Sequence, residues 1–352
     1  MKIYNLNSRN NFFFIAEIGH NHQGSFQKAK DLIYSAYHSG ADAVKFQKRF
    51  NRELYTKEFY ESAYENENSY SNTYGKHRDF LEFNFNEFKK LQEYAKKIGI
   101  IFFATPFDLK SVDFLERLQV PCYKIASGDL TNLQLQDYIA KKNKPIFLST
   151  GGGTFKDIDR AYKNINKINK KIIILHCTAS YPADVEDMNL NIISELKKKY
   201  KRNLIGLSDH ENGIDAASIA YMLGSRVFEK HFTLNRAWKG TDQSFSLEPH
   251  GLSKLIRNLN RIPKLLGSNK KKFLKKEKNP IYKMSKTIVA SYHLKKGQIL
   301  KLDDLSLKSP GGGMKPYELH KIIGKKLLLN VKKDEILTIR HFKKKFKNIR
   351  NS

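Results

Sequence analysis

Residues 204–231, LIGLSDHENGIDAASIAYMLGSRVFEKH, carry the reading that decides the fold. Two short strand-like runs, 204–207 and 227–230, flank a stretch at 215–223 with helical spacing, the pattern of a β-α-β unit with parallel strands. A histidine stands just past each run, His210 in Leu-Ser-Asp-His and His231 in Phe-Glu-Lys-His-Phe-Thr. In a parallel barrel all strand C-termini open onto one face, so these imidazoles are expected to converge there and to share a divalent cation.

The same alternation extends back through the chain. Further strand-like runs occur at 12–18, 43–47, 101–105, 122–126, 146–149 and 172–177, which brings the number to eight. Amphipathic stretches at 26–39, 87–98, 111–118, 133–141, 155–165 and 190–200 separate them, and 252–266 closes the series. Strand and helix alternating in this way predict a (β/α)8 TIM barrel over residues 1–268, with a doubly wound open sheet as the alternative.

After Gly267 the character changes. A lysine-rich segment ending in Asn279 and Pro280 has no apolar period and predicts a linker over 269–284. Short apolar pieces then alternate with Gly297, Gly311 to Gly313, Pro316 and Gly324, which predicts a small β-rich domain over 285–352. A core of that size is marginal alone and is expected to lean on another surface.

Composition sets the outer limits. The 352 residues are 40% hydrophobic and 12% aromatic, which excludes a disordered chain. No run approaches the ~18 apolar residues of a membrane span, and the start lacks the apolar region of a signal peptide. Cys122 and Cys177 fall in predicted strands and read as buried thiols, so the chain is expected in the cytoplasm. The formal charge of +29, from 64 basic and 35 acidic residues, raises the question of a nucleic-acid partner. Its lysines lie on outer helix faces, in the linker and in the tail at 343–345, with no nucleic-acid motif, so a solvated basic surface is the reading.

Chemistry concentrates at the strand ends. Ile-Ala-Glu-Ile-Gly-His-Asn-His-Gln-Gly places Glu17 in the barrel mouth, and Val-Lys-Phe-Gln puts Lys45 and Gln47 on one face by the period of two. Thr105 ends the third run; Lys124, Ser127 and Asp129 end the fourth, in Tyr-Lys-Ile-Ala-Ser-Gly-Asp. Two lysines with hydroxyls on one rim suit a phosphate with a nearby carboxylate. His20 and His22 read as loop packing or hydrogen-bonding residues, a third metal ligand being the alternative.

These motifs, with His-Cys-Thr-Ala-Ser-Tyr-Pro, Gly-Leu-Ser-Asp-His and Glu-Lys-His-Phe-Thr in the same order, resemble the sialic acid synthase family from about Phe12 to His341. Thr-Tyr-Gly-Lys-His-Arg-Asp-Phe-Leu-Glu-Phe and Trp-Lys-Gly-Thr-Asp-Gln-Ser-Phe-Ser-Leu-Glu-Pro resemble its animal branch, in which some members use a 6-phosphorylated sugar. The C-terminal segment resembles the antifreeze-like (SAF) domain. The resemblance implies condensation of phosphoenolpyruvate with N-acetylmannosamine or its 6-phosphate, or with a diamino sugar leading to legionaminic or pseudaminic acid. It implies Mn2+ or Mg2+ on His210 and His231, and Glu17 as the group that positions or deprotonates water. Phosphoenolpyruvate falls to Lys45, Thr105, Lys124, Ser127 and Ser208, and the sugar to Gln47, Asp129, Tyr181 and Asp242. A homodimer in which the SAF domain covers the partner's site is also implied.

Two positions depart from bacterial relatives: Ala179 stands where an asparagine contacts phosphoenolpyruvate, and Ser309 where an arginine reaches the acyl sugar. Lys308 or Lys315 is the nearest substitute for that arginine. A 3-deoxy-octulosonate or heptulosonate synthase, and a noncatalytic sugar- or ice-binding protein, are the competing classes.

Overall fold

Eight parallel strands form the centre of the first unit: β1 (Phe13–Gly19), β2 (Ala43–Lys48), β3 (Ile101–Pro106), β4 (Tyr123–Ile125), β5 (Ile146–Ser149), β6 (Ile172–Cys177), β7 (Leu204–Asp209) and β8 (Val227–His231). Their ladder runs β3-β2-β1-β8-β7-β6-β5-β4, and β3 packs beside β4. The sheet is therefore a nearly closed barrel, the (β/α)8 architecture that the alternation predicts. The computed structural model describes residues 2–4, 6–8 and 10–343, so the tail lysines at 344 and 345 lie outside the described residues. No helix among the described residues is long and apolar enough to cross a membrane.

The outer ring is α1 (Phe26–His38), α2 (Phe85–Ile98), α3 (Leu109–Arg117), α4 (Leu133–Ala140), α5 (Phe155–Ile168), α6 (Ile192–Lys199), α7 (Asp215–Leu223) and α8 (Pro249–Leu266). Local sequence sets their ends. In α2, Asn84 and Glu87 close a capping box and Gly99 supplies the left-handed residue at φ +88° that stops the helix. Its Phe88, Leu91 and Ala95, at helical spacing, face the barrel. The predicted fourth strand is shortened at both ends, because after Ile125 the backbone turns into the 3-10 segment Ser127–Asp129.

Side chains alternate in and out along each strand, and the inside is layered. Low in the barrel, Phe147 lies between Phe13 and Phe103, with ring centroids 6.0 and 5.6 Å away. Full burial of each ring contributes about 1.5–3 kcal/mol. One layer higher the inward residues turn polar. Strand register fixes this layer, pairing His231 with Glu17, Glu17 with Lys45, and Glu229 with Ser208. The β1–β2 register shifts between Glu17 and Gly19. Gly19 sits at φ +51°, where a Cβ would stand 3.3 Å from both Gln47 Nε2 and Glu17 Oε1, so the close approach of those side chains needs glycine.

Residues 49–84, between β2 and α2, form an excursion with three short helices, Asn51–Leu54, Lys57–Glu61 and Tyr74–Phe80. The sequence pattern left this segment without elements.

The second unit begins at Ser268. Its first part is not wholly irregular, since Lys278–Met284 forms a short helix, α9. Pro280 is accommodated because it falls in the first turn, where its missing N–H has no helical partner to lose. β9 (Thr287–Ala290) then pairs antiparallel with β10 (Leu305–Lys308), and Ile288, Leu294, Leu300, Leu327, Val331 and Leu337 form a separate small core.

Candidate active site

The C-terminal ends of the strands open on a cavity of about 550 Å³. Of the residues singled out from sequence, it brings together Glu17, Lys45, Gln47, Thr105, Lys124, Ser127, Tyr181, Ser208, His210, His231 and Asp242. Asp129 is not among the lining residues: it ends the 3-10 turn after β4, and its Oδ1 accepts a hydrogen bond from Asn132 at 2.9 Å. Ala179 lies on the wall.

The floor is a buried lattice of two ammonium groups and two carboxylates. Lys45 Nζ stands 2.7 Å from Glu17 Oε2 and 3.7 Å from Glu229 Oε1, and donates to Thr105 Oγ1 at 2.9 Å. Lys124 Nζ and Ser208 Oγ donate to Glu229 Oε1 at 3.0 and 3.1 Å. All four residues are at most 4% exposed. Burial pushes the Glu229 carboxyl up, but Lys124 and Lys45 outweigh it and hold the group at about 2. Glu17 goes the other way: burial, reinforced by the charge of Glu229, exceeds the pull of Lys45 and raises its pKa. The two carboxyls thus divide into a fixed anion and a group able to exchange a proton.

One wall carries the histidines. Their rings lie 5.4 Å apart, and the Tyr181 ring is 4.3 Å from that of His210. His210 Nδ1 donates to the Thr178 carbonyl at 2.8 Å, which leaves Nε2 as the free lone pair. Burial pushes His231 down to about 3, so its ring is neutral; its Nδ1 is buried without a hydrogen-bond partner and stands 3.7 Å from Asp242 Oδ2. Two close imidazoles, one of them with an orphaned nitrogen, fit a divalent cation. Among the described residues no group of three or more His, Cys, Asp or Glu side chains is arranged to hold an ion.

His20 and His22 do not join that wall. His20 lies between Arg49 and Arg78, with an Nη1 of each 3.1 Å from a different ring nitrogen. His22 stacks 4.3 Å from Phe83 and accepts from the Gly24 amide at 3.1 Å. Both are packing and hydrogen-bonding residues.

Three charged lining residues escaped the sequence reading: Glu229, Arg49 and Arg78. Glu229 was available from the period of two, being two positions before His231 on the same strand face. Arg49 likewise follows Gln47 by two. Arg78 comes from the excursion at 49–84, whose length for a βα connection was its only signal.

The two Arg side chains, the lysine floor and the histidine wall all stand on a chain with clear relatives. Residues 32–271 match the NeuB family and residues 286–343 the SAF domain. The chain is 38% identical over 326 residues to N-acetylneuraminate-9-phosphate synthase of Homo sapiens, covering 92% of this chain and 91% of that one. It is also 38% identical over 331 residues to N,N'-diacetyllegionaminic acid synthase of Campylobacter jejuni, covering 92% and 98%. The crystal structure of N-acetylneuraminic acid synthetase from Leptospira borgpetersenii superposes with a TM-score of 0.68 at 33% identity, over 80% of this chain and 94% of that one. With the barrel and the appended domain both matched, the chain belongs to the NeuB family.

Proposed function

We propose that this protein is a sialic acid synthase, condensing phosphoenolpyruvate with N-acetylmannosamine or its 6-phosphate to give N-acetylneuraminate or its 9-phosphate and inorganic phosphate. The observation that carries the reading is the floor, where Lys45 and Lys124 supply positive charge beside one ionised and one proton-exchanging carboxyl.

The lysines, with Thr105, Ser127 and Ser208, hold the phosphate and carboxylate of phosphoenolpyruvate; lysine gives charge without fixed geometry and the hydroxyls give direction. The methylene carbon of phosphoenolpyruvate forms the new bond to the sugar aldehyde carbon. Water then adds to the cationic centre left at its neighbour, and the tetrahedral intermediate expels phosphate. Glu17 orients that water and takes its proton, while its charge stabilises the adjacent cation. Gln47 donates to Glu17 Oε1 at 3.0 Å and so fixes the carboxyl's orientation. Tyr181 and Asp242 present an aromatic face and an acceptor to the sugar. We propose that Mn2+ or Mg2+ sits on His210 and His231, where it would polarise the aldehyde oxygen as a Lewis acid.

A homodimer in which the second unit covers the partner's cavity is part of the proposal; the small separate core of that unit supports it. Loss of turnover on deletion of the chain after Lys278 is its test. The two free buried thiols, Cys122 and Cys177, support a reducing, cytoplasmic setting.

A second reading, synthesis of a legionaminic- or pseudaminic-type acid from a diamino sugar, is favoured by the equal identity to the Campylobacter relative. Phosphate release from phosphoenolpyruvate with a panel of aldoses separates the two. Turnover with N-acetylmannosamine or its 6-phosphate supports the first reading, and turnover with the diamino sugar alone replaces it. Metal-independent silence toward every hexosamine removes both.

A further inference from the structure

His210 and His231 are each preceded by a charged residue whose side chain takes no part in the cavity. By the period of two, Ser208 and His210 face in and Asp209 faces out, while Glu229 and His231 face in and Lys230 out. Asp209 and Lys230 are direct partners in the β7–β8 register and form its last pair. Lys230 Nζ donates to Asp209 Oδ2 at 2.7 Å, and the two residues are only 2% and 3% exposed. Both histidines stand one position beyond this last pair, where the ladder between their strands has ended.

The ammonium group reaches further. Lys230 Nζ also donates to the Glu211 carbonyl, and Asp209 Oδ1 accepts from the Glu211 amide at 2.9 Å. One side chain of β8 thus holds the chain on both sides of His210. The His210 ring has a tie of its own, from Nδ1 to the Thr178 carbonyl, and its backbone carbonyl accepts from the Ala183 amide at 3.1 Å. His231 Nδ1, by contrast, is buried without a hydrogen-bond partner, 3.7 Å from Asp242 Oδ2. Its place relative to His210 therefore depends on the backbone at the end of β8, where Lys230 is anchored.

We infer that Asp209 and Lys230 are positioning residues that set the separation of the two imidazoles and thereby the affinity of this wall for a divalent cation. This rests on the ion reading above. Two ligands on different strands serve one ion only while the strand ends keep their spacing, because ligand distances are held to within about 0.2 Å. A buried ion pair adds little net stability over apolar side chains of the same volume, since desolvation offsets most of the attraction. Its charge-assisted hydrogen bonds are nevertheless short and directional, which is what a fixed spacing needs. Neither residue touches the cavity; both act through the backbone that carries the histidines.

The test titrates Mn2+, and separately phosphoenolpyruvate, into the full-length protein by calorimetry. Asp209→Asn combined with Lys230→Met removes both charges together and keeps an acceptor for the Glu211 amide. This double variant should bind Mn2+ about 10–100-fold more weakly than the wild type, with phosphoenolpyruvate affinity changed less than about twofold. Lys48→Met combined with Glu82→Gln is the control: it removes another buried pair, 2.6 Å apart, with no link to either histidine, and should leave Mn2+ affinity as it was. Should the double variant fail to fold, Asp209→Asn alone carries the test, with an expected loss of about tenfold. Wild-type Mn2+ affinity in a folded Asp209 variant overturns the positioning role and leaves the ion reading standing. An equal loss in the control, or an equal loss of phosphoenolpyruvate binding, overturns it too, since the effect is then general. If the wild type itself binds no Mn2+, the ion reading falls and this inference with it.

Discussion

Glu17 Oε2 lies 2.7 Å from Lys45 Nζ, yet Glu17 is the carboxyl whose pKa is raised. A buried ion pair normally lowers a carboxylate, and the exception comes from complete burial reinforced by Glu229, which shares the same lysine. The floor is therefore one coupled array, and Glu17 is its adjustable member.

Replacing that member separates chemistry from binding. Glu17→Gln keeps the shape and the contact to Gln47 but cannot take a proton. Single-turnover phosphate release should slow by about 10²–10⁴, while phosphoenolpyruvate affinity by calorimetry changes little. A variant that turns over at the wild-type rate would exclude Glu17 as the base.

Glu229 has the opposite duty. Glu229→Gln leaves Lys45 and Lys124 with one carboxylate between them. The substrate-free protein should lose about 3–5 kcal/mol of stability in urea denaturation, the usual cost of stripping one partner from a buried pair. Phosphoenolpyruvate should raise the melting temperature of this variant more than that of the wild type, because its anions replace the missing charge.

The histidine wall is tested by ion binding. His231→Ala should weaken Mn2+ binding measured by calorimetry by at least about 10–100-fold with an unchanged circular dichroism spectrum. Chelation should abolish phosphate release by the wild type, and added Mn2+ should restore it. Full activity of His210→Ala and His231→Ala in chelator would contradict the assignment.

Stability should also fall in mild acid. Burial pushes His22 down to about 3 from 6.5, and His20 is likewise held low. Below pH 6.5 the unfolded chain binds protons that the folded chain refuses, so stability is full above that value and declines as pH drops toward 3. Each such histidine contributes about 1.4 kcal/mol per pH unit in that window. Denaturation at pH 7 and 5 should show the decline, and His22→Phe should make it shallower.

The barrel was legible because each strand run is bounded by helices with their own period, as at 204–231. Cavity-lining residues were legible where a charged group interrupts one of those apolar runs, as Glu17, Lys45 and Lys124 do. Glu229 shares its strand face with His231 by the period of two, whereas the adjacent Lys230 turns outward to Asp209 at 2.7 Å, so the alternation alone separates the two charges. Asp129 is not among the cavity-lining residues, and the tight 3-10 turn that carries it has no hydrophobic period to announce it. Arg78 could not be assigned from pattern at all, since the burial that brings it to the cavity is created by long-range packing of the excursion.

That excursion divides the cavity lining by mechanical origin. Glu17, Lys45 and Glu229 stand on barrel strands, where a change disturbs the whole ladder, whereas Arg78 is carried by a short helix of the 49–84 connection, so one wall of the cavity can shift while the floor stays in register.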